Sequence, residues 1–324
     1  MKISIIIPNY NGAELLKKNL PKVFDAISSY KDGAIEVIII DDYSTDNSLM
    51  EIQSFVKIQD ENAKTKSQFR QGGIKLKSIR NEKNLGFSST INKGVREADG
   101  EIVVLLNTDV IPERTFLPPL LSHFKNDEVF AVGCMDKSIE EKKVVLRGRG
   151  VGAWKRGFLV HSRGEIGKAN TLWVSGGSGA FRKSIWEKLG GFDSLYNPFY
   201  YEDIDLSYRA QKSGYKVLFE SESPVIHEHE KGAIKSTYSR SQIRAIAYRN
   251  QFIFVWKNAT DLDLQILHIF WLPYHFMKAL INNDWMFFRG FINAFLLLPK
   301  IIASSFKSRK LFIKKDSEII KSLS

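Results

Sequence analysis

"EIVVLLNTDV", residues 101–110, decides how the rest of the chain is read. Ile102 to Leu106 are apolar without alternation, so the spacing predicts a strand over 101–106 buried on both faces. Such strands belong to parallel sheets covered by helices. The run stops at Asn107-Thr108-Asp109. A carboxylate just past a buried strand fits a capped turn, which Pro112 favours. It fits a ligand site equally well, because open α/β sheets bind ligands beyond the carboxyl ends of their strands.

Upstream the same pattern recurs. An apolar run over 3–7 is closed by Pro8, and a second over 36–40 by Asp41-Asp42. A third strand is expected over 74–79. Between them lie stretches with helical spacing over 13–30, 45–57 and 88–98. Strands alternating with helices predict an α/β fold, a mostly parallel central sheet flanked by helices. Three strand ends then bring polar clusters to one sheet edge: Pro8-Asn9-Tyr10-Asn11, Asp41-Asp42 and Asn107-Thr108-Asp109. Neither a Gly-x-Gly-x-x-Gly fingerprint nor a Walker A loop follows the first strand. That argues against a dinucleotide oxidoreductase and a P-loop ATPase.

Downstream the order is looser. Residues 134–172 read as a hairpin or insertion, with strands near 144–146 and 158–160. A helix over 182–190 is entered from Ser175-Gly-Gly-Ser-Gly. Gly176, Gly177 and Gly179 suit an approaching ligand backbone or phosphate, or a plain tight turn. Glu202 and Asp203 open a helix over 203–213, where acidic residues are expected on dipole grounds alone. Phe199, Tyr200 and Tyr201 just before them would wall a carboxylate, as a general base requires. Arg209 is placed to pair with Asp205 one turn back. A strand over 215–219 leads to His227 and His229, either of which suits a metal, a phosphate or a plain surface position.

Taken in order, these stretches resemble the family 2 glycosyltransferases with the GT-A fold. The matching pieces are "IIIPNYNG" (5–12), "VIIIDDYSTDNS" (37–48), "NLGFSSTINKG" (84–94), "LLNTDV" (105–110), "GGSGAFRKSIWEKLGGFD" (176–193) and "YYEDIDLSYRAQKSGY" (200–215). "AYRNQFIFVWKN" (247–258) is similar to the bacterial rhamnosyltransferase-like branch. The resemblance implies an inverting transferase that moves a sugar from a UDP-, dTDP- or GDP-sugar to an acceptor hydroxyl of a cell-surface glycan or lipid-linked intermediate. Pro8, Asn9 and Tyr10 would line the nucleotide pocket. Asp42 would bond the base, with Asp41 beside it. Asp109 matches the last aspartate of the family's Asp-x-Asp motif and would bind Mg²⁺ or Mn²⁺, with His227 as a further contact and His229 as its rival. Asn107 stands where the first aspartate is expected, which touches the ribose contact. Asp203, next to Glu202, would be the base, and Gly176, Gly177 and Tyr201 would meet the sugars. The competing functions are a catalytically silent nucleotide-sugar-binding or scaffold protein on the same fold, and a nucleotidyltransferase. The latter lacks its basic glycine-rich loop near the N-terminus.

Composition bounds the rest. The 324 residues carry a net charge of +11. Residues 231–324 hold 15 Lys/Arg against 5 Asp/Glu, so nearly all the excess lies there. The single cysteine, Cys134, excludes an internal disulfide and fits a reducing compartment. The start, Met1 to Pro8, does not read as a secretory signal. Two domains are expected: a catalytic GT-A domain over 1–230 and a basic, aromatic-rich helical region over 231–324. In the latter, the longest uncharged stretch, Leu264–Met277, is 14 residues, short of a span of roughly 20. It reads as an interfacial segment on an anionic membrane, or as a helical subdomain or homodimer interface. The expectation is a cytoplasmic protein peripheral to the inner face of the plasma membrane. Nucleic acid is not expected, because the basic residues flank aliphatic runs.

Overall fold

The computed structural model describes residues 1–56, 66–71, 74–140, 143–227 and 237–323. In chain order the first half runs β1 (Ile3–Asn9), α1 (Ala13–Ser28), β2 (Ile35–Asp41), α2 (Ser48–Val56), β3 (Lys66–Gln71), β4 (Ile74–Arg80), α3 (Phe87–Glu97), β5 (Ile102–Leu106), β6 (Val110–Pro112) and α4 (Leu117–Ser122). Then follow β7 (Val129–Glu140), β8 (Lys143–Arg147), β9 (Gly150–Lys155), β10 (Phe158–Arg163), β11 (Ser178–Arg182), α5 (Lys183–Leu189), α6 (Glu202–Lys212) and β12 (Lys216–His227). The chain closes with α7 (Arg240–Asn258), α8 (Leu262–Ile281), α9 (Trp285–Leu296), α10 (Leu298–Arg309) and α11 (Asp316–Lys321).

The main sheet has the order β3-β4-β2-β1-β5-β11-β7-β12-β6, with β8 added to β7. β4, β2, β1 and β5 are parallel neighbours. Their continuous apolar sequences follow from burial on both faces. Ile3, Ile5, Ile7, Val37, Ile39, Val104 and Leu106 pack with Leu16, Leu20 and Val23 of α1 and with Leu117 and Leu120 of α4. The alternate residues Ile6, Ile38, Ile40, Val103 and Leu105 pack with α3, α5 and α6. Each such aliphatic side chain contributes roughly 1.5–3 kcal/mol. At Gly94 of α3 a Cβ would sit 2.4 Å from Ile40 and 2.7 Å from Ile6, so only glycine lets this helix lie so close.

Beyond β5 the sheet is mixed, which the sequence pattern did not foresee. Residues expected as a loop into a helix instead form β11, antiparallel to both β5 and β7. The helix begins only at Lys183. "SGAFR" is short and rich in small residues, and its strand character comes from its place between two strands rather than from its own propensity. The insertion is two features: β8 folds back on β7, and β9 and β10 form a separate hairpin. That hairpin, α6 and the C-terminal helices share a third apolar core around Phe158, Leu159, Tyr208, Phe252, Phe254 and Phe287.

Candidate functional site

The ends of β1 and β2 are in register, Asn9 opposite Asp41. The Asn9 Nδ2 donates to Asp41 Oδ1 (2.9 Å), and the Ser44 amide and hydroxyl donate to the same carboxylate. With Arg80 also beside it at 3.5 Å, Asp41 is spent on holding its own loop. Asp42 holds a second loop. Its Oδ1 accepts from Asn81 Nδ2 and the Leu85 amide (both 2.8 Å), and its Oδ2 from the Gly86 amide (2.9 Å). Asp42 thus ties β2 to the entrance of α3, with one Oδ2 lone pair unused by these contacts. Pro8 and Tyr10 are half-buried beside Asn9, whose own Oδ1 is buried without a partner.

The end of β5 is tied to the start of β11. The Asn107 amide donates to the Gly177 carbonyl (2.9 Å). A Cβ at Gly177 would lie 2.6 Å from Asn107 Nδ2, so this approach requires glycine. Asn107 Oδ1 is buried and has no partner. One residue back, the Gly176 amide faces Asp203 Oδ2 at 3.4 Å. Asn107, Gly177, Gly176 and Asp203 therefore form one continuous wall, although they come from three separate parts of the chain.

Asp109 lies across the turn from Asn107, closed by the Val110 amide on the Asn107 carbonyl (3.0 Å). β6 pairs antiparallel with β12, setting Val110 opposite His227. His227 Nε2 stands 3.3 Å from Asp109 Oδ2, and its Nδ1 lies 3.0 Å from Asp136 Oδ2. Burial works against the charged imidazolium, yet the two carboxylates outweigh it and lift His227 to about 9. Among the described residues no three His, Cys, Asp or Glu side chains form a complete metal cage. The donor set nevertheless suits a hard divalent cation: a carboxylate and an imidazole face each other, the imidazole is oriented by a second carboxylate, and the unpartnered Asn107 Oδ1 is two residues from Asp109. Remaining ligands would come from phosphate oxygens and water. His229 lies outside the described residues.

Asp203 stands at the first turn of α6. Its Oδ1 accepts from the Ile204 amide (2.8 Å). Burial pushes its carboxyl up to about 6 despite that bond and the Gly176 amide. Glu202 is more deeply placed, and its Oε2 has no partner. Burial first, and the neighbouring Asp203 second, drive its carboxyl well above the usual range. Both carboxyls are therefore held above the ordinary carboxylate range, Asp203 at about 6 and Glu202 in the same direction, and both by burial first. Tyr201 turns its ring inward against Phe254 and His161, while Tyr200 is 43% exposed.

What sets Asp203 in place was not read from the sequence. Tyr200 and Tyr201 both adopt left-handed backbone, φ +70° and +75°, which non-glycine residues take up only when their surroundings hold them. The holding groups come from α7. Asn250, fully buried, donates to the carbonyls of Phe199 (2.9 Å), Tyr200 (2.8 Å) and Tyr196 (3.4 Å). Arg249 donates to the Asn197 carbonyl (2.6 Å). Below them a buried charge network fixes α6 itself. Asp205 receives Arg209 (2.7 Å), Lys257 (2.9 Å), Asn258 (2.8 Å) and the Tyr196 hydroxyl (2.9 Å). The only signal in the sequence was the stretch "YRNQ" at 248–251, which has no chemistry until the loop it binds is known.

Comparison with known proteins agrees with this architecture. The family model described as glycosyl transferase family 2 matches residues 4–190. Among curated proteins, the O-antigen chain rhamnosyltransferase RfbN of Salmonella typhimurium is 26% identical over 234 residues, 71% of this chain and 67% of that protein. Among solved structures, TarS 1–349 of S. aureus in complex with UDP-GlcNAc has a TM-score of 0.58 at 14% identity, covering 100% of this chain and 90% of that one. The mannosyltransferase PcManGT of Pyrobaculum calidifontis, in complex with GDP-Man and Mn²⁺, has a TM-score of 0.54 at 17% identity, covering 99% and 83%.

Proposed function

This chain belongs to glycosyl transferase family 2 and is a glycosyltransferase, and from that premise we propose an inverting transfer with Asp203 as general base. The donor is a nucleoside-diphosphate sugar of the UDP, dTDP or GDP class. The acceptor is a hydroxyl of a cell-surface glycan or of a lipid-linked intermediate. The likeness to an O-antigen chain rhamnosyltransferase supports a polysaccharide-building role, and the nucleotide sugars bound to the structural neighbours support the donor class.

The observation that carries this reading is the wall from Asn107 through Gly177 and Gly176 to Asp203. It sets a carboxylate that ionises near neutrality against the end of the strand that leads to Asp109. The nucleotide lies over the ends of β1 and β2, where Asp42 and the Pro8–Tyr10 loop meet its base. Asp109 and His227 would hold a divalent cation, which would supply neutralisation of charge on the diphosphate. Asp203 accepts the proton of the acceptor hydroxyl as its oxygen forms a bond to the anomeric carbon. The bond from that carbon to the diphosphate breaks on the opposite face, and the nucleoside diphosphate leaves with the bonding pair. One displacement inverts the carbon.

The test is a panel of nucleotide sugars with Mn²⁺ and a glycan acceptor, with the product anomer read by NMR. Transfer with inversion is expected. Retention at the anomeric carbon, or a chain that binds donors without turning any over, would overturn the mechanism or the activity respectively.

A further inference from the structure

The C-terminal helices have two unlike faces. One packs inward. On α8, His268 and Ala279 are buried, and His268 meets Trp256 at 3.0 Å and the Gly157 carbonyl at 2.8 Å. The opposite face is bare and apolar. Leu262, Ile266, Ile269, Phe270, Met277 and Ile281 are all exposed, Phe270 by 71% and Ile281 by 74%. At 3.6 residues per turn these six fall on one stripe about a third of the circumference wide. α9 continues the theme with exposed Trp285, Ile292, Phe295 and Leu296. A contiguous apolar face of this kind marks an interaction site.

Charge identifies the occupant. Residues 262–323 contain nine Lys/Arg, every one exposed. Of the four acids in the same segment, Asp316 is buried on Lys212 (2.8 Å) and Asp284 is paired with Arg244 (2.7 Å). Only Asp263 and Glu318 stand exposed against the nine cations. Lys278 lies beside the α8 stripe, whose edge also carries Asp263, and Arg289 shares the exposed face of α9. A second copy of this chain would bring the same positive charge against it, and like charges facing each other oppose pairing. An anionic lipid surface supplies both halves of the complement, acyl chains for the stripe and phosphates for the cations. No described helix is long and apolar enough to cross a bilayer alone, and α9 and α10, which together would be, break at 65°.

We infer that the α8–α9 face is a docking surface for anionic phospholipid, on which the helices lie in the plane of the interface. This goes beyond the proposed transfer chemistry and does not depend on it. The polar and apolar parts act together. Leucine, isoleucine and phenylalanine side chains enter the acyl boundary, while long cationic side chains reach up to the head groups.

The experiment is co-sedimentation of the full chain with vesicles of phosphatidylcholine alone or mixed equally with phosphatidylglycerol. Binding to the anionic vesicles, weakened by salt, is expected. The pair Lys278→Ala with Arg289→Ala should lower partition on the order of tenfold. Ile269→Glu with Phe270→Glu should abolish it, while the melting temperature stays unchanged because both side chains are already in water. Equal binding to both vesicle types, no binding to either, or undiminished binding of the glutamate variant would overturn the inference. So would a concentration-dependent dimer in sedimentation velocity that those glutamates dissolve without any vesicle binding. Donor hydrolysis assayed without vesicles reads the transferase activity separately.

Discussion

The end of β5 and the start of α6 carry the two carboxylates of the site, and they are held in opposite ways. Asp109 follows a strand whose position is set by its ladder with β1 and β11. Asp203 comes just after two left-handed residues, Tyr200 and Tyr201, in a turn whose Phe199 and Tyr200 carbonyls are held by Asn250 and whose Asn197 carbonyl is held by Arg249, about fifty positions further along. The position of Asp109 is therefore set by main-chain pairing. That of Asp203 is set by side chains that arrive from the C-terminal helices. A site can thus be rigid on both sides while only one side rests on the sheet, and the helical region supports the turn before Asp203 directly.

The largest effect expected is at Asp203. Asp203→Asn should lower kcat by about 10²–10⁴-fold with nucleotide affinity intact, as read by steady-state rates and calorimetry. In the unsubstituted enzyme the base must be ionised, so kcat should rise with pH through about 6. Stability runs the other way. The folded state holds this proton more tightly than the unfolded chain, whose value is 3.8, so the cost of ionisation is absent below 3.8 and complete above about 6. Asparagine removes that cost, and thermal melts near pH 8 should show the variant more stable by about 1–3 kcal/mol, with no gain near pH 3. A rate unchanged by the substitution would remove Asp203 from the chemistry.

Asn250→Leu separates the two supports. It leaves buried carbonyls at Phe199 and Tyr200 unpaired, at about 1–3 kcal/mol each in denaturant unfolding. Loss of the loop geometry should lower kcat by about 10–100-fold while the nucleotide dissociation constant moves little. Equal losses in both would mean that the two supports are one unit. Asp42→Asn should do the reverse. An amide cannot accept from the Gly86 N–H on its nitrogen side, so nucleotide affinity should fall about tenfold with kcat at saturation preserved. The smallest effect is at Asn107. With activity restored by Mn²⁺ after chelation as the assay, Asn107→Asp should tighten the Mn²⁺ titration by about three- to tenfold by adding a charged ligand.

The strand-end clusters were legible because their signals are local. Continuous apolar runs closed by Asn9, Asp41 and Asn107 give strand, end and cluster within a few residues, and a parallel sheet brings such ends to one edge. The start of α6 was legible in its residue types but not in their support. Glu202 and Asp203 resemble any acidic helix entrance until Gly176 is seen beside Asp203 and Asn250 beneath the turn. β11 was missed for the same reason, since "SGAFR" has no strand pattern of its own.

By itself the sequence determined the alternation of buried strands and helices, the polar clusters at the strand ends, the family resemblance and the concentration of positive charge after residue 230. These depend on short-range periodicity and composition, which each segment carries alone. Only the tertiary structure decided the mixed half of the sheet, the His227 contact that spans Asp109 and Asp136, and the grip of α7 on the turn before Asp203. Each of those is a pairing between groups far apart in the chain, and its energy exists only once the intervening segments have packed.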